Sequence, residues 1–395
     1  MSDLKIFAQT IEEETINQIN LLASQKAFSS AKIRIMPDCH AGKGCVVGFT
    51  ADLGEKIIPN IVGVDIGCGM LVTQIDDSHP DLEKLDSVIK DVIPSGMTVH
   101  DSIVKEYSLE NVLCYQKLND SKKWIDRSLG SLGGGNHFIE LDKGQDGTIY
   151  LVIHTGSRNL GKQIAELYQE EAQYDCSLND ERNEKIKQAI SLLKSEGQQR
   201  RIKSAIKKIE ESYQDKRSVP LELSYLTNQH RLDYLHDMRI AQDWAKVNRR
   251  LIAQLILEKM GWHSVDQFES VHNYIDENNV VRKGAISALK GEKVIIPLNM
   301  KDGTILGVGK GNKDWNYSAP HGAGRLLSRS QARKLLSVNE FTSSMKGIYT
   351  TTATIDTLDE APKAYKNSKE ILEMIKPTVD VTSVIKPIYN FKATN

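Results

Sequence analysis

Short runs of apolar and β-branched residues alternate along the chain with glycine-rich turns. Runs of this kind, bounded by turn residues, are typical of buried strands, and they predict strands over residues 33–35, 150–153, 293–296 and 304–308. The turns between them hold glycine clusters at 42–48, 63–69, 132–136, 155–161 and 321–324. Because glycine lets the backbone turn tightly or approach a ligand closely, we expect a functional site at the ends of these strands.

The middle of the chain shows helical spacing. Apolar residues recur with the period of a helix over residues 180–217 and are interrupted near Gly197, which predicts a helical hairpin. A longer helix is predicted over residues 232–260, with Gly261 as its stop signal. One stripe of this helix should pack into the core, and its members are Ile240, Trp244, Val247, Leu251 and Leu255.

No feature of the composition marks a domain boundary, and the glycine-rich motifs are spread from residue 37 to residue 325. If these motifs meet in space, they must do so within one interwoven domain. We therefore predict a mixed α+β fold in which residues 1–395 form one large domain with mixed sheets around a central cleft. Residues 180–217 are then a helical insert within it.

The charge balance narrows the classes of function. The chain has 395 residues, with 51 Lys and Arg against 52 Asp and Glu, and a formal net charge of −1. This balance excludes a uniformly basic protein that coats nucleic acid. Basic residues are nevertheless concentrated in residues 181–217 and 281–340, which leaves the remainder acidic. Any binding of a polyanion is therefore expected to be local and sensitive to salt.

The number of cysteines and the hydropathy of the chain indicate its cellular compartment. Five cysteines are few and odd in number, so a disulfide framework is not expected, and the thiols are free as ligands or as packed hydrophobes. No apolar run approaches the ~18 to 20 residues of a membrane span, and the first residues lack the pattern of a secretion signal. We expect a cytoplasmic protein.

A candidate metal site begins with Asp65 and Cys68 in GVDIGCGM. A carboxylate and a thiol three residues apart can bind one ion, although a turn-capping aspartate and a buried cysteine would give the same pattern. His137, His154 and His272 each lie at the edge of a strand-like run. A lone histidine of this kind is more often structural. The five residues together suit Zn²⁺, Mn²⁺ or Co²⁺ and exceed the four ligands of a structural zinc site, which predicts two ions with a shared ligand.

His321 in APHGAGRLLSR is a candidate for chemistry at phosphorus. Arg325 and Arg329 are four residues apart on the helix predicted to follow, so their guanidiniums would share one face and form a phosphate cradle. The histidine could be a general base, a metal ligand or a nucleophile. The alternative is a solvated basic helix after a glycine turn. Arg158 and Lys283 add cations that could hold phosphates.

Polar residues beside these candidates complete the predicted site. Asn136 can hydrogen-bond a base, a ribose or a phosphate, and Glu140 can accept from a guanine edge or pair with a neighbour. Asp38 and His40 in PDCH also resemble a metal pair, but a structural or supporting role is the preferred interpretation. No Walker A pattern occurs, so P-loop chemistry is not expected.

An ordered set of motifs resembles one family. PDCHAGKG, GVDIGCGM, LGGGNHFIE, HTGSRN, HNY, RKGA and HGAGRLLSR, in that order, are similar to the RtcB family of RNA-splicing and RNA-repair ligases, from about residue 30 to the end of the chain. The resemblance implies an RtcB-like fold and a ligase that depends on GTP and two Mn²⁺ ions. Such a ligase joins an RNA 3′-phosphate, or a 2′,3′-cyclic phosphate after opening, to a 5′-hydroxyl. It also implies RNA as partner and an archease-like activator.

The resemblance assigns roles by motif. It implies that the five candidate ligands hold manganese, with Cys68 bridging, and that His321 attacks the α-phosphate of GTP to form a histidine–GMP intermediate. Arg158, Lys283, Arg325 and Arg329 would line the RNA phosphate path. The implied nucleotide contacts are Asn136, Phe138, Glu140, Asn299, Ala323, Gly324, Tyr365 and Lys392.

The chain also departs from the family pattern. Leu298 and Asn299 replace the Gly and Ser of the usual IPGSMGT segment, and the chain ends in FKATN rather than in Lys-Gly. We expect a divergent branch that serves RNA repair or tRNA splicing. Two alternatives remain open, namely a metal-dependent phosphoesterase or cyclic phosphodiesterase, and an RNA-end-binding protein without ligase activity.

Overall fold

A computed structural model of the chain describes residues 2–118, 122–177, 180–212 and 219–393. The strands in these ranges are β1 (Asp3–Ile6), β2 (Lys32–His40), β3 (Val47–Asp52), β4 (Gly69–Ile75), β5 (Phe138–Lys143), β6 (Ile149–Thr155), β7 (Ser264–Val271), β8 (Asn273–Ile275), β9 (Val280–Lys283), β10 (Ala285–Ser287), β11 (Lys293–Asn299), β12 (Gly303–Gly309), β13 (Ser318–Pro320) and β14 (Val379–Lys392). The helices are α1 (Glu13–Ala23), α2 (Pro59–Val62), α3 (Leu82–Val92), α4 (Lys122–Ser128), α5 (Arg158–Asp175), α6 (Asp180–Ser195), α7 (Ile202–Ser212), α8 (Asn228–Met260), α9 (Arg329–Leu335), α10 (Val338–Ser344) and α11 (Ser368–Met374). The fold is therefore mixed α+β, as predicted.

A seven-stranded sheet with the order β11-β12-β14-β5-β6-β4-β7 is the centre of the fold. All of its neighbouring strands are antiparallel. Its middle strands are buried on both faces, which explains why their sequences are almost continuously apolar. One face packs Leu71, Leu151 and Ile153 against Ile252 and Ile256 of α8. The long helix α8 thus covers this face of the sheet.

The second sheet has the order β1-β2-β3-β9-β8, and a short ribbon pairs β10 with β13. In the second sheet β1 and β2 are parallel, and the remaining pairs are antiparallel. The ribbon places Ala285 opposite Pro320. The pairing of β10 with β13 therefore holds the segment after β9 next to the segment that leads into His321.

The predicted helices are present. The helix predicted over 232–260 is α8, and it ends where Gly261 adopts a left-handed conformation with φ of 76°. Trp244 in its predicted stripe is 1% exposed. The predicted hairpin is formed by α6 and α7, with its turn at Gly197; residues 213–217 of that prediction lie outside the described residues. The four predicted strands lie within β2, β6, β11 and β12.

The helices were also compared with the requirements of a bilayer. Among the described residues, no helix combines the length and the apolar character needed to cross a membrane.

Candidate active site at one edge of the large sheet

Strand register brings four of the candidate ligands to one edge of the large sheet. Cys68 directly precedes β4, His137 directly precedes β5, His154 is the last residue but one of β6, and His272 directly follows β7. Since these strands are antiparallel neighbours, the start of each meets the end of the next. The register confirms this, because His154 lies opposite both Phe138 and Met70.

The ligand atoms of these residues converge. Cys68 Sγ lies 3.3 Å from His154 Nε2 and 3.6 Å from His137 Nε2. His154 Nε2 lies 3.4 Å from His272 Nε2, and Asp65 Oδ2 lies 3.0 Å from His137 Nε2. Two groups result, Cys68 with His154 and His272, and Asp65 with Cys68 and His137, and in each group the ligand atoms lie within 4.8 Å of one another. Cys68 belongs to both groups. We call these five residues the ligand cluster.

Backbone carbonyls orient two of the imidazoles. His137 Nδ1 donates to the carbonyl of Leu132 at 2.9 Å, and His154 Nδ1 donates to the carbonyl of Asn136 at 3.2 Å. A histidine whose Nδ1–H is fixed in this way presents the lone pair of Nε2, which is the arrangement common among metal-binding histidines. The Nε2 atoms are those that face the cluster.

Burial controls the electrostatics of the ligand cluster. It lowers the pKa values of His154 and His272 well below the ordinary histidine value, so both rings are neutral. Burial and the neighbouring Asp65 raise the pKa of the Cys68 thiol. Burial would also raise the pKa of Asp65, but hydrogen bonding and the charge of His137 outweigh it and hold that pKa below its usual value. A bound cation would stabilise the thiolate and the carboxylate together.

Gly156 in the TGSRN motif fits against Asp65. A Cβ on this residue would lie 2.1 Å from Asp65 Oδ1, closer than any real contact. Asp65 Oδ1 also accepts from the backbone N–H of Ser157 at 3.1 Å. The glycine is therefore needed to seat the carboxylate beside the other ligands.

His321 lies beside the ligand cluster because of the short ribbon. His321 directly follows β13, which pairs with β10. β10 begins directly after Gly284, whose backbone N–H donates to the carbonyl of His272 at 2.7 Å. The ring centroids of His272 and His321 are 4.8 Å apart.

Asp38 fixes the orientation of the His321 ring. Its Oδ2 atom accepts from His321 Nδ1 at 2.7 Å and from the backbone N–H groups of His321 and Gly322 at 3.2 Å. Asp38 is fully buried. Because a carboxylate oxygen only accepts, the ring proton is on Nδ1, and Nε2 carries a lone pair. The supporting role predicted for Asp38 is exerted on His321.

A cavity of about 650 Å³ opens over His154, His272 and His321. This volume is typical of a small-molecule site. All eight residues predicted to contact a nucleotide line it, together with two of the predicted phosphate-binding arginines: Asn136, Phe138, Glu140, Asn299, Ala323, Gly324, Tyr365, Lys392, Arg325 and Arg329. The structure thus brings together residues from distant parts of the chain.

A second polar cluster at this cavity is centred on Glu360, which is 2% exposed. Glu360 accepts from Tyr365 Oη at 2.5 Å and pairs with Lys392 at 3.0 Å, Arg325 at 3.1 Å and Arg329 at 3.3 Å. Burial alone would raise its pKa, but these cations outweigh burial and lower the pKa to about 2. We call these five residues the Glu360 network. Sequence reasoning missed Glu360, because TLDEAPK looks like an exposed charged turn.

The network corrects the prediction for Arg325 and Arg329. The helix begins only at Arg329, with Ser328 as its N-cap, and Arg325 precedes it in an isolated β-bridge with Tyr365. The predicted pair on one helical face is therefore wrong. The two guanidiniums instead meet through Glu360, since a buried carboxylate can hold two arginines that the helix itself does not align.

Other predicted cations lie apart from the cavity lining. Arg158 donates to Ser131 Oγ at 3.1 Å and to the carbonyl of Gly96 at 2.9 Å. Lys283 is buried and donates to the carbonyls of Lys43 and Asn60. The structure does not bring either into the cavity. These contacts support the backbone around the ligand cluster.

Asn299 lines the cavity but is also engaged in a turn. Its Nδ2 donates to Asp302 Oδ2 at 2.9 Å, and its Oδ1 accepts from the backbone N–H of Lys301 at 3.0 Å. These bonds close the connection between β11 and β12. The role predicted for Asn299 toward a nucleotide remains a prediction.

Fold and site together define a protein in which a cluster of residues able to hold a metal ion and an oriented histidine meet at one cavity. Comparison with known proteins gives its family. Residues 18–125 and 114–393 match the family model described as tRNA-splicing ligase RtcB. The chain is 27% identical to the RNA-splicing ligase RtcB of Escherichia coli strain K12, over 93% of each chain. It is also 27% identical to the tRNA-splicing ligase RtcB of Archaeoglobus fulgidus, over 93% of this chain and 88% of that one.

The chain therefore belongs to the RtcB family of RNA ligases. It is also 25% identical to the RNA-splicing ligase RtcB2 of Escherichia coli strain ATCC 25922. Identities this low agree with the predicted divergent branch. The family resemblance read from the ordered motifs is confirmed.

Proposed function

We propose that this protein is a GTP- and Mn²⁺-dependent RNA ligase that joins 3′-phosphate or 2′,3′-cyclic phosphate ends to 5′-hydroxyl ends, in RNA repair or tRNA splicing. One observation carries the proposal. His321, with its Nδ1 proton held by Asp38, lines the same cavity as His154 and His272 of the ligand cluster. An imidazole held in this orientation can attack phosphorus, which is the role that the ligase reaction requires.

The ligand cluster fits two manganese ions. It offers one carboxylate, one thiol and three imidazoles, a donor set that suits borderline divalent ions, and its two groups share Cys68. The buried Nδ1 atom of His272 has no hydrogen-bond partner among the described residues. Ions bound by the ligand cluster would neutralise phosphate charge and help to orient the leaving pyrophosphate.

His321 acts as the nucleophile in the first step of the proposal. Nε2 attacks the α-phosphorus of GTP, a P–N bond forms, the P–O bond to the β-phosphate breaks, and pyrophosphate leaves. The Nδ1 proton stays hydrogen-bonded to Asp38, which stabilises the positive charge that the ring acquires. Asp38 thus fixes both the orientation and the tautomer that the attack requires.

Two transfers complete the reaction. An oxygen of the RNA 3′-phosphate attacks the phosphorus of the histidine–GMP, the P–N bond breaks, and Nε2 regains its electron pair. The activated end, RNA-3′-pp-G, is then attacked at the 3′-phosphate by the 5′-hydroxyl, and GMP leaves. A cyclic phosphate must first be opened by water to give the 3′-phosphate.

The cavity offers contacts for the nucleotide. Phe138 presents an aromatic ring with Lys392 Nζ 4.9 Å from its centroid. Asn390 donates to Glu140 Oε1 at 2.8 Å and so orients a carboxylate that can accept from a guanine edge. Arg329, with 42% of its side chain exposed, is placed to meet an RNA phosphate. An archease-like activator is a further proposed partner, testable by adding one to the sealing assay.

Labelling with GTP tests the proposal. Protein incubated with Mn²⁺ and α-labelled GTP is expected to keep label that is lost in acid and stable in base, as expected of a phosphoramidate. His321→Ala should abolish the label. Label retained by His321→Ala, or no label on the wild type, would contradict the proposal, and the second result together with intact RNA binding would favour the non-ligating alternative.

Asp38→Asn separates the role of Asp38 from that of the nucleophile. An amide can present its N–H to Nδ1 and so favour the wrong tautomer, and we expect guanylylation to slow by at least about 100-fold. The pH profile should change as well, because the ring loses its anionic partner. A rate and a pH profile equal to those of the wild type would show that Asp38 does not orient His321.

A further inference from the structure

The helical hairpin of α6 and α7 carries exposed basic residues, and we call it the arm. The two helices pack mainly against each other, and α7 has no fully buried residue. Ile202, Ile206 and Ile209 are partly buried along one side of α7, as expected for the seam between the helices. The proposed reaction at the cavity uses none of these residues.

The outer side of α7 is strongly basic. Arg200, Lys203 and Lys207 follow one another at spacings of three and four residues, and Lys208 lies beside them; all four are exposed. Lys207 makes only a long ion pair with Glu211, at 3.8 Å, in which both side chains are more than half exposed. Such a pair gives way readily to a phosphate, because exposed ion pairs contribute little.

The helix α5 lies between the active site and the hairpin along the chain. α5 begins at Arg158, four residues after His154, and runs for 18 residues to Asp175, so its far end is about 27 Å away at 1.5 Å per residue. There His230 Nδ1 lies 2.8 Å from Asp175 Oδ2 and fixes the start of α8 to the end of α5. α5 and α8 pack along each other. α5 is therefore held in place as far as Asp175, five residues before α6 begins at Asp180.

We propose that the basic face of α7 binds the backbone of the RNA substrate at a distance from the ends being joined. This inference rests on the proposed function, which provides a polyanionic substrate. Charge complementarity favours RNA over a protein partner, because the exposed cations form a row with the spacing of a helix face and the chain as a whole has a net charge of −1. The 27 Å length of α5 corresponds to roughly eight nucleotides at about 3.4 Å per nucleotide along one strand. We expect an RNA end shorter than this to bind without the arm.

The test uses the full chain with Lys203→Gln, Lys207→Gln and Lys208→Gln combined. Glutamine has nearly the same helix propensity as lysine, so the helix should persist. The matched control removes the same charge elsewhere, at the exposed residues Lys259, Lys290 and Lys346. Two substrates with identical ends are compared, with arms of about five and about twenty nucleotides on either side of the distance expected from the 3.4 Å spacing.

For the long RNA we expect the α7 variant to raise KM and Kd roughly tenfold near 0.1 M salt, and to lower the slope of log Kd against log salt by about 2 to 3. kcat, labelling by GTP and KM for the short RNA should not change. Unchanged binding of the long RNA, an equal loss in the control variant, or an equal loss with the short RNA would overturn the proposal. Unchanged binding of the long RNA is also the result expected if the arm serves a protein partner.

Failure of this proposal can be told from failure of the proposed function. Kd is measured by fluorescence anisotropy with an RNA that bears unreactive ends, so it requires no ligation. If the wild type takes no label from GTP but still loses affinity when α7 is neutralised, the ligase proposal fails and the arm stands.

Discussion

The ligand cluster and the Glu360 network are both buried and polar, and they lie at the same cavity, but their internal balance differs. Glu360 is surrounded by Lys392, Arg325 and Arg329, and its pKa is lowered to about 2. Asp65 and Cys68 instead lie beside the imidazoles of His137 and His154, and burial keeps the His154 ring neutral. A buried charge needs a partner. The network contains its own cations and can stabilise the fold, whereas the ligand cluster is suited to cations from solution.

Replacement of Cys68 by alanine should have the largest effect, and it should fall on the ligand cluster. Cys68 is common to both ligand groups, so its loss should disturb both ions, lower metal affinity by at least about 100-fold, and abolish both guanylylation and sealing. Metal content by mass spectrometry and the two assays check this. Cys114→Ala, which removes a buried thiol outside the cluster, is the control. Two bound Mn²⁺ ions and full activity in Cys68→Ala would refute the two-metal proposal.

Glu360→Gln should act on stability. It leaves Lys392 and Arg325 without their buried counter-charge, while Arg329 keeps its pair with Asp359. We expect a loss of about 3 kcal/mol in the free energy of unfolding, measured with urea. Glu340→Gln is the matched control, because Glu340 pairs with Lys363 at the surface and should change stability by less than about 1 kcal/mol. Equal effects of the two substitutions would show that the network does not stabilise the fold.

The pH dependence of stability follows from the same carboxylate. The pKa of Glu360 is about 2 in the folded protein and about 4.3 when unfolded. A lowered folded pKa gives stability that is full above the unfolded value and is lost as pH falls toward 2. The wild type should therefore lose stability between about pH 5 and pH 2 more steeply than Glu360→Gln. Parallel curves of unfolding free energy against pH would contradict this assignment.

Gly156→Ala should have the smallest effect, and it should weaken only one of the two groups in the ligand cluster. The new methyl group would displace the Asp65 carboxylate, which can move because it is the end of a side chain. We expect roughly tenfold weaker binding of one Mn²⁺ ion, with the site formed by Cys68, His154 and His272 retained. Titration calorimetry distinguishes this outcome from the loss of both ions. Equal weakening at both sites would show that the two groups are not separable.

Much of the site was predictable because its residues are of types that can bind metal ions and lie at the ends of strands. His137, His154 and His272 could be assigned to the edges of strands, and the ordered motifs pointed to the family. Asp38 was predicted as a supporting residue, but its partner His321 is 283 residues away. No local pattern reports a pairing of that length.

The misjudged residues share a physical cause. Arg325 and Arg329 have the spacing of one helix face, yet Arg325 lies before the helix in a β-bridge with Tyr365. Buried Glu360 and the carbonyl of Asp359 hold its guanidinium. Glu360 was missed because charged residues in a short turn are usually exposed. In both cases a tertiary ion pair outweighed the local preference.

The sequence by itself determined four of the strands, the helix α8, the basic hairpin, and the set of side chains able to bind metal and attack phosphorus. These follow from hydrophobic period, glycine position and side-chain chemistry, which are local. Only the tertiary structure decided that β5, β6, β4 and β7 are neighbours in a register that gathers the ligands at one edge. Register depends on which strands pair and on what covers them, and that is settled by packing across the whole chain.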